Sequence, residues 1–359
     1  ITNNSHPIFS RSLTGCIAGV VLISDGVEKD RGRLHALDPK LDQTELRHHI
    51  ALREVLQDLA PVVYEYFSIK EFLANISRHA TDVVIPCIAP PGSRNRYALL
   101  PAVCESQGVM YAGADAFTKA LCQDKHLSKL VVRSVGLDTP NGVLIQHAGS
   151  VALIETLKPP LVVKPNQEGG SLGISQRNLV SSHADAAHLA TELLQQFRQP
   201  CLVEEFVPGR EVSVCILGNQ YGIHAIEAAE RYVPGNEDYL SERLFDFTLK
   251  NKLGADTDIR LVTPQIENSI LQKCKILFRN LGRVQFFRID GRLSDGGFTV
   301  LELTPDTHLG ERAEFCGTLI KAGLTYTDVV RGILNNCLDD YRSPDSTTSG
   351  MPDSTQTPI

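Results

Sequence analysis

Apolar runs alternate with helical patterns over the first third of the chain. Residues 15–23 and 83–89 read as buried strands, and residues 46–59 place their leucines and isoleucine on one helical face. A helix is predicted over 97–108 and a short strand over 109–113. Because strand–helix alternation is typical of a parallel sheet covered by helices, this part is predicted to be α/β.

The pattern changes after residue 117. Residues 118–135 read as one long helix, ended by Gly136 and closed off by Pro140. Further strands are predicted at 142–146, 161–164, 201–207 and 211–219, helices at 184–197 and 265–281, and a β-hairpin at 285–303. The polar stretch 231–258 has no clear periodicity, which is typical of a functional lid or a disordered loop. The low-complexity tail 343–359 is predicted to be disordered.

Composition indicates a soluble protein of two or three domains. The 359 residues are 42% apolar and 21% charged, and 35 basic against 42 acidic residues give a net charge of -7. This balance shows no nucleic-acid footprint, and no apolar run approaches the roughly 20 residues that span a bilayer. The polar N-terminal segment has no signal-peptide core, and the nine scattered cysteines form no C-x-x-C pair. We therefore expect buried thiols and a cytoplasmic protein.

The strongest local signal is a glycine-rich loop that follows a predicted strand. The strand delivers Lys164, and Gly169, Gly170, Ser171 and Gly173 follow it. Glycines let backbone N–H groups wrap phosphate oxygens, and a lysine at the strand end can neutralise phosphate charge. The spacing is that of neither a P-loop nor a Rossmann fingerprint. Taken alone, an ordinary glycine-rich turn explains it nearly as well.

Carboxylates mark two other places. Glu204 and Glu205 end a strand shortly before Glu211, where they could accept hydrogen bonds from adenine or ribose or form a solvated strand end. Asp290 and Glu302 lie on the two strands of the predicted hairpin, where they could share Mg²⁺ or decorate a charged surface.

The histidines carry weaker signals. His48 and His49 lie on a predicted helix without metal-ligand spacing, which favours a solvated helix face. His308 follows the second acidic strand, where a histidine satisfied within its loop competes with a substrate-binding one.

The order and spacing of these residues make the set specific. They are Lys125, Lys164, the glycine-rich loop, residues 204–211, Arg288, Asp290 and Glu302. With this set the chain resembles the ATP-grasp superfamily, and within it the D-alanine–D-alanine ligase group. The resemblance runs from about residue 15 to about residue 335 and is strongest at 94–211 and 288–305.

The resemblance implies a role for each matching position. The implied ATP-binding residues are Lys125, Lys164, Glu204, Glu205, Val207 and Glu211. The implied catalytic residues are Arg288 beside the anionic acyl phosphate, Lys250 near the transferred phosphate, and Ser171 in the loop over the triphosphate. Mg²⁺ would lie on Asp290, Glu302 and the position of Thr304. The implied substrate-binding residues are Glu28, Gly170, Asp306 and His308.

Three positions depart from the family pattern. Thr304 replaces an Asn, so either Asp306 compensates or one of two metal sites is weaker. Gly170 replaces a Ser that orients the first amino acid, and Asn251 replaces a Tyr after the lid lysine. Because the last two changes touch the substrate rather than ATP, they indicate a ligase that has left D-alanine for another substrate.

We therefore predict an α/β protein with the three-domain ATP-grasp fold. The predicted domains are 1–117, which contributes to the substrate site, and 118–203 and 204–342, which clamp ATP. The predicted reaction joins a small-molecule carboxylate and amine of amino-acid type through an acyl phosphate and uses ATP and Mg²⁺. The alternatives are intramolecular cyclisation, a non-amino-acid amine, or a non-catalytic nucleotide-binding protein. We expect neither nucleic acid nor membrane as a partner, and the related group suggests a homodimer.

Overall fold

Three sheets form the framework of the part of the chain that the structure describes. The computed structural model describes residues 6–25, 43–88, 94–246, 257–305 and 307–342. The tail 343–359 therefore lies outside the described residues, as do Glu28, Lys250, Asn251 and Asp306.

The first sheet is parallel, as the alternation of strands and helices predicts. Its strands are Val20–Ser24 (β1), Val63–Tyr66 (β2), Val83–Cys87 (β3) and Met110–Tyr111 (β4), and its helices are Leu46–Leu59 (α1), Ile69–Leu73 (α2) and Arg96–Ser106 (α3). The strand order is β2-β1-β3-β4, and every neighbouring pair is parallel. Strand β2 and helix α2 were not predicted from the sequence, because they are too short to establish a period.

The predicted solvated histidine face of α1 is half wrong. His49 is only 2% exposed, and its Nε2 lies 2.6 Å from Oε2 of Glu65 on β2. The carboxylate is the partner of Nε2 of the ring that the helix turns inward, whereas the buried Nδ1 has no hydrogen-bond partner among the described residues.

The helix predicted over 118–135 is two helices, Ala116–Gln123 (α4) and Lys125–Ser134 (α5). The chain breaks at Asp124, whose backbone is extended and whose Oδ1 accepts a hydrogen bond from Leu127 N at 3.0 Å. An aspartate that caps a helix competes with helix continuation. As a result, Lys125 begins a new helix instead of lying inside an old one.

The second sheet is antiparallel. Its strands are Gly142–Ile145 (β5), Leu161–Pro165 (β6), Leu179–Val180 (β7) and Cys201–Glu205 (β8), in the order β5-β8-β6-β7. The helix His183–Phe197 (α6) buries Ala186, Leu189, Ala190 and Leu193 against it.

The third sheet is also antiparallel, in the order β11-β10-β9-β12-β13. Its strands are Arg210–Asn219 (β9), Gly222–Tyr232 (β10), Asp258–Leu261 (β11), Phe286–Ser294 (β12) and Gly297–Thr304 (β13). The last two are the predicted hairpin. The helices of this region are Asn268–Asn280 (α7), Glu314–Lys321 (α8) and Tyr326–Arg342 (α9). Strands β10 and β11 and helices α8 and α9 were not predicted from the sequence.

Helix α9, near the C-terminus, packs in the same core as the N-terminal sheet. Val329, Ile333 and Cys337 belong to the same buried cluster as Val20 and Leu22 of β1. All nine cysteines are free and seven of them are buried, as expected. Within the described ranges, no helix has the length and apolarity needed to cross a membrane.

Candidate active site

A cleft of about 1550 Å³ lies among the three sheets. It collects every sequence-predicted site residue that the structure describes: Lys125, Lys164, Gly170, Ser171, Glu204, Glu205, Val207, Glu211, Arg288, Asp290, Glu302, Thr304 and His308. Residues more than 170 positions apart in the sequence therefore face one space. The other three predicted residues, Glu28, Lys250 and Asp306, fall outside the described residues.

Glu204 sits between two lysines in the cleft wall. Its Oε2 lies 2.6 Å from Lys164 Nζ on the neighbouring strand β6, and its Oε1 accepts a hydrogen bond from Lys129 Nζ. Burial opposes ionisation of Glu204, but the two ammonium groups outweigh it and lower the pKa of the carboxyl. Glu204 also raises the pKa of Lys164 against the effect of burial, so Lys164 stays charged at the cleft surface.

Lys129 is a site residue that the sequence interpretation missed. Burial lowers its pKa to about 7, although Glu204 acts in the opposite direction. A signal was present, because Lys129 follows Lys125 by four residues and four-residue spacing puts side chains on one helical face.

Glu205 points elsewhere. Its two carboxylate oxygens accept hydrogen bonds from Lys158 N and Asn141 Nδ2, both at 2.9 Å. Both oxygens of Glu205 are thus already engaged by neighbouring residues of the protein.

Lys125 is anchored at the start of α5 and ties the glycine-rich loop to the third sheet. Its backbone N–H donates to Asn166 O at 3.1 Å, and its Nζ donates to Glu168 O. The same Nζ lies 3.0 Å from Oε1 of Glu302 on β13. One ammonium group thus touches both walls of the cleft.

The glycine-rich loop holds its backbone in the left-handed region. Gly170, Ser171 and Gly173 have φ of 62°, 65° and 76°. At Gly173 a Cβ would meet the Phe197 ring at 2.6 Å, so only glycine fits there. A non-glycine residue in this region is uncommon and is found at functional sites, which makes Ser171 informative. Such a run of residues can turn successive N–H groups toward an anion.

Asp290 and Glu302 occupy opposite positions of the β12–β13 pair. Asp290 Oδ1 lies 2.6 Å from Arg288 Nε, and Oδ2 lies 3.0 Å from Arg288 Nη2. Thr304 Oγ1 donates to Oδ2 at 2.8 Å. The hydroxyl at the position of the family's asparagine thus orients a carboxylate.

A second charged pair borders this hairpin and was also missed from the sequence. Glu314, in the first turn of α8, accepts hydrogen bonds from Arg231 Nε and Nη2 at 3.3 and 3.1 Å. Ser213 Oγ lies 2.8 Å from Glu314 Oε1 and 2.7 Å from Asp290 Oδ1. Burial would raise the pKa of Glu314, but Arg231 and Arg288 dominate and lower it to about 2. Since Arg231 and Glu314 are 83 positions apart, no local pattern reveals their pairing.

The carboxylates of the hairpin suit a hard divalent cation. Mg²⁺ in proteins is commonly held by one or two carboxylates together with substrate phosphates, and Asp290 and Glu302 supply two carboxylates on one face. Among the described residues, no three His, Cys, Asp or Glu side chains come together as a complete protein cage. The residues present therefore fit a cation that shares its ligands with a phosphorylated substrate.

Comparison with known proteins places this cleft in a class. The family model described as D-ala D-ala ligase C-terminus matches residues 131–335, more than half of the chain, and with the three-domain ATP-grasp fold this makes the protein an ATP-grasp ligase. The chain belongs to the D-alanine–D-alanine ligase family.

The chain is similar to named D-alanine–D-alanine ligases over most of their length. The D-alanine–D-alanine ligase of Thermotoga petrophila is 26% identical over 326 residues, which cover 88% of this chain and 96% of that protein. The Bacillus anthracis D-alanine–D-alanine ligase complexed with ATP superposes with a TM-score of 0.68 at 16% identity and covers 91% of this chain and 98% of its own. The VanG D-Ala:D-Ser ligase of Enterococcus faecalis has a TM-score of 0.64 at 18% identity, with 89% and 99% covered.

Proposed function

We propose that the protein is an ATP-dependent ligase that activates the carboxylate of one amino-acid-type substrate and joins it to the amine of another. The acyl phosphate is the intermediate, and ADP and phosphate are released. The observation that carries this proposal is the convergence of Lys125, Lys164, Arg288, Asp290 and Glu302 on one cleft. The three cationic side chains can neutralise phosphate charge, and the two carboxylates can hold a metal ion. Phosphoryl transfer requires both kinds of group in one site.

ATP is proposed to bind between the second and third sheets. Lys125 and Lys164 supply positive charge for its phosphates, and the N–H groups of the loop that contains Ser171 close over them. Adenine and ribose are assigned to the edge formed by Glu204, Glu205, Val207 and Glu211. Support for this comes from their position at the end of β8 and the start of β9, where Glu204 pairs with Lys164.

Mg²⁺ is assigned to Asp290 and Glu302, with Thr304 fixing Asp290 through its hydroxyl. When bound, Mg²⁺ would neutralise phosphate charge during transfer. Arg288 is assigned to the developing negative charge of the acyl phosphate and the tetrahedral intermediate. Burial would lower the pKa of Arg288, but Asp290 and Glu314 raise it, so the guanidinium keeps its charge.

The amino-acid site is proposed to differ from that of D-alanine ligases. Gly170 removes the serine hydroxyl of the family, and His308 lines the cleft near the hairpin. Lys250, Glu28 and Asp306 keep their predicted roles at the transferred phosphate, the first amino group and the substrate. A homodimer and a cytoplasmic location also remain predictions.

The test is phosphate release from Mg-ATP in the presence of pooled L- and D-amino acids, with mass spectrometry of the products. We expect amino-acid-stimulated release and a new mass equal to two substrates less water. Lys164→Met should abolish both signals, and Lys158→Met, which changes an exposed lysine, should leave them intact. Tight ATP binding, with no phosphate release stimulated by any of the pooled amino acids, would favour a non-catalytic nucleotide-binding protein.

A further inference from the structure

Residues 240–244, which we call the strap, connect the second and third sheets across the cleft. Leu240 and Leu244 are 2% and 9% exposed, and Leu244 lines the cleft. The strap belongs to none of the regular elements of the described chain. Its position is set by the side chains of Arg292 on β12 and Gln176 just before β7, together with a backbone hydrogen bond from Gly209 N to Ser241 O at 3.0 Å.

Arg292 holds the strap from the third sheet. Its Nη1 donates to Leu240 O at 2.6 Å and to Ser241 O at 3.3 Å, and its Nη2 donates to Arg243 O. Arg292 is 2% exposed. A planar guanidinium can reach several carbonyls at once, whereas the ammonium of lysine presents a single point of charge.

The same guanidinium reaches the predicted nucleotide edge. Its Nη2 lies 2.6 Å from Glu211 Oε1, across the β9–β12 pair in which the two residues are partners. Nη1 also donates to Gly209 O at 2.7 Å, and the group stands 5.5 Å from the centre of the Phe206 ring. Arg292 thus fixes Glu211 and the strap relative to each other.

Gln176 holds the strap from the short turn Gln176–Asn178 that precedes β7 of the second sheet. Its Nε2 donates to Leu244 O at 2.8 Å, and its Oε1 accepts a hydrogen bond from Leu244 N at 3.3 Å. Gln176 lies three residues after Gly173, the last glycine of the glycine-rich loop. The strap is therefore tied at one end to the loop and at the other to Glu211.

We propose that Arg292 and Gln176 are positioning residues for the nucleotide. Through the strap they set the distance between the glycine-rich loop and Glu211 before the nucleotide arrives. Pre-organisation of this kind raises affinity because less ordering remains to be done on binding. The proposal rests on the proposed function, in which ATP lies between these two elements.

The variants separate the two ends of the strap. Gln176→Leu removes both hydrogen bonds to Leu244. Arg292→Lys keeps a positive charge beside Glu211 but loses the planar guanidinium that binds several strap carbonyls at once. Arg177→Met is the matched control, since Arg177 is next in sequence, is 58% exposed and pairs with Glu192. The double variant Gln176→Leu/Arg292→Lys completes a double-mutant cycle.

Calorimetric titration with ADP and hydrogen exchange of the peptide that contains residues 240–244 provide the readouts. We expect each single variant to weaken ADP binding roughly tenfold. The double variant should weaken it by clearly less than the product of the two, because the second loss acts on a strap already released. Exchange at the strap should accelerate in both single variants without nucleotide and stay unchanged in Arg177→Met.

Independent, multiplicative effects on ADP affinity, or unchanged exchange in Gln176→Leu, would overturn the proposal. Should Arg292→Lys not fold, Gln176→Leu alone still decides through its ADP affinity and exchange rate. Failure of the unmodified protein to bind any adenine nucleotide would refute the ligase proposal and the nucleotide-positioning role together. The exchange rates measured without nucleotide would then show separately whether the strap is held by these two side chains.

Discussion

Asp290 and Glu302 face each other across the β12–β13 hairpin, twelve positions apart in sequence and directly paired in register. Opposite residues of an antiparallel pair have Cβ atoms about 5 Å apart on one face of the sheet. Two carboxylates at that separation repel each other, and a cation or positive side chains must offset the repulsion. In the structure Arg288 contacts Asp290 and Lys125 contacts Glu302, and in the ligase Mg²⁺ is expected to take part.

The first prediction concerns this pair. Asp290→Asn and Glu302→Gln should each weaken divalent-cation binding at least tenfold in the presence of ADP, because each variant removes one charged oxygen ligand. Electron paramagnetic resonance of added Mn²⁺ with ADP measures the bound fraction. Asp295→Asn, at the exposed hairpin turn, is the control. Unchanged Mn²⁺ affinity in both site variants would show that the metal does not bind at this hairpin.

The second prediction concerns Thr304. Its hydroxyl donates to Asp290 Oδ2, so Thr304→Val should release that carboxylate and weaken Mn²⁺ binding several-fold, while Thr304→Ser should preserve it. The same resonance titration applies. If Val and Ser weaken binding equally, the hydroxyl does not orient Asp290.

Features that depend only on residues close together in the sequence could be predicted from it. The hairpin 285–303 is indicated by its alternating apolar and polar residues and by the turn between them. Lys164 and the glycine-rich loop are close in sequence, so they could be recognised together. The family resemblance extended this to residues far apart, such as Lys125 and Glu302.

Features that depend on a distant partner could not be predicted in this way. The break at Asp124 depends on a capping hydrogen bond that competes with an unbroken apolar helix pattern. The Arg231–Glu314 and Arg292–Glu211 pairs join strands and helices whose adjacency exists only in the folded chain. Each of these charged residues, met alone, is indistinguishable from a solvated surface residue.

The third prediction separates the two lysines that share Glu204. Lys164 lines the cleft, whereas Lys129 lies behind Glu204 and is 4% exposed. Lys164→Met and Lys129→Met each leave the buried Glu204 with one lysine instead of two and should lower stability by about 1 to 3 kcal/mol.

Only Lys164→Met should also lose contact with the nucleotide phosphates. We expect its ADP and ATP affinities to fall at least tenfold more than those of Lys129→Met, measured by calorimetry below the melting temperatures of both variants. Equal losses of affinity would mean that Lys164 acts only by supporting Glu204.

The fourth prediction concerns a buried acid outside the cleft, Asp340 on α9. It is 2% exposed, and its Oδ2 accepts a hydrogen bond from Gln285 Nε2. Its Oδ1 has no hydrogen-bond partner among the described residues. Burial, together with Asp339, raises the pKa of Asp340 to about 7, with Gln285 and Arg283 acting in the opposite direction.

A carboxyl group whose pKa is raised on folding stabilises the folded state fully below its unfolded pKa, and this contribution is lost as the pH rises toward the folded value. The ordinary pKa of an aspartate, 3.8, and the folded pKa of about 7 set the window in which the unmodified protein loses stability. Asp340→Asn removes the ionisation while keeping an oxygen for Gln285. The variant should therefore gain stability relative to the unmodified protein by up to about 3 kcal/mol between about pH 5 and about pH 8.

Chemical denaturation of both proteins at the two pH values measures this difference. Asp295→Asn is the control, because Asp295 lies at the exposed turn of the β12–β13 hairpin and is not among the groups that shift the pKa of Asp340. Its effect on the free energy of unfolding should vary little over the same range. A relative stability of Asp340→Asn that is the same at both pH values would show that Asp340 is already ionised in the folded protein near pH 5.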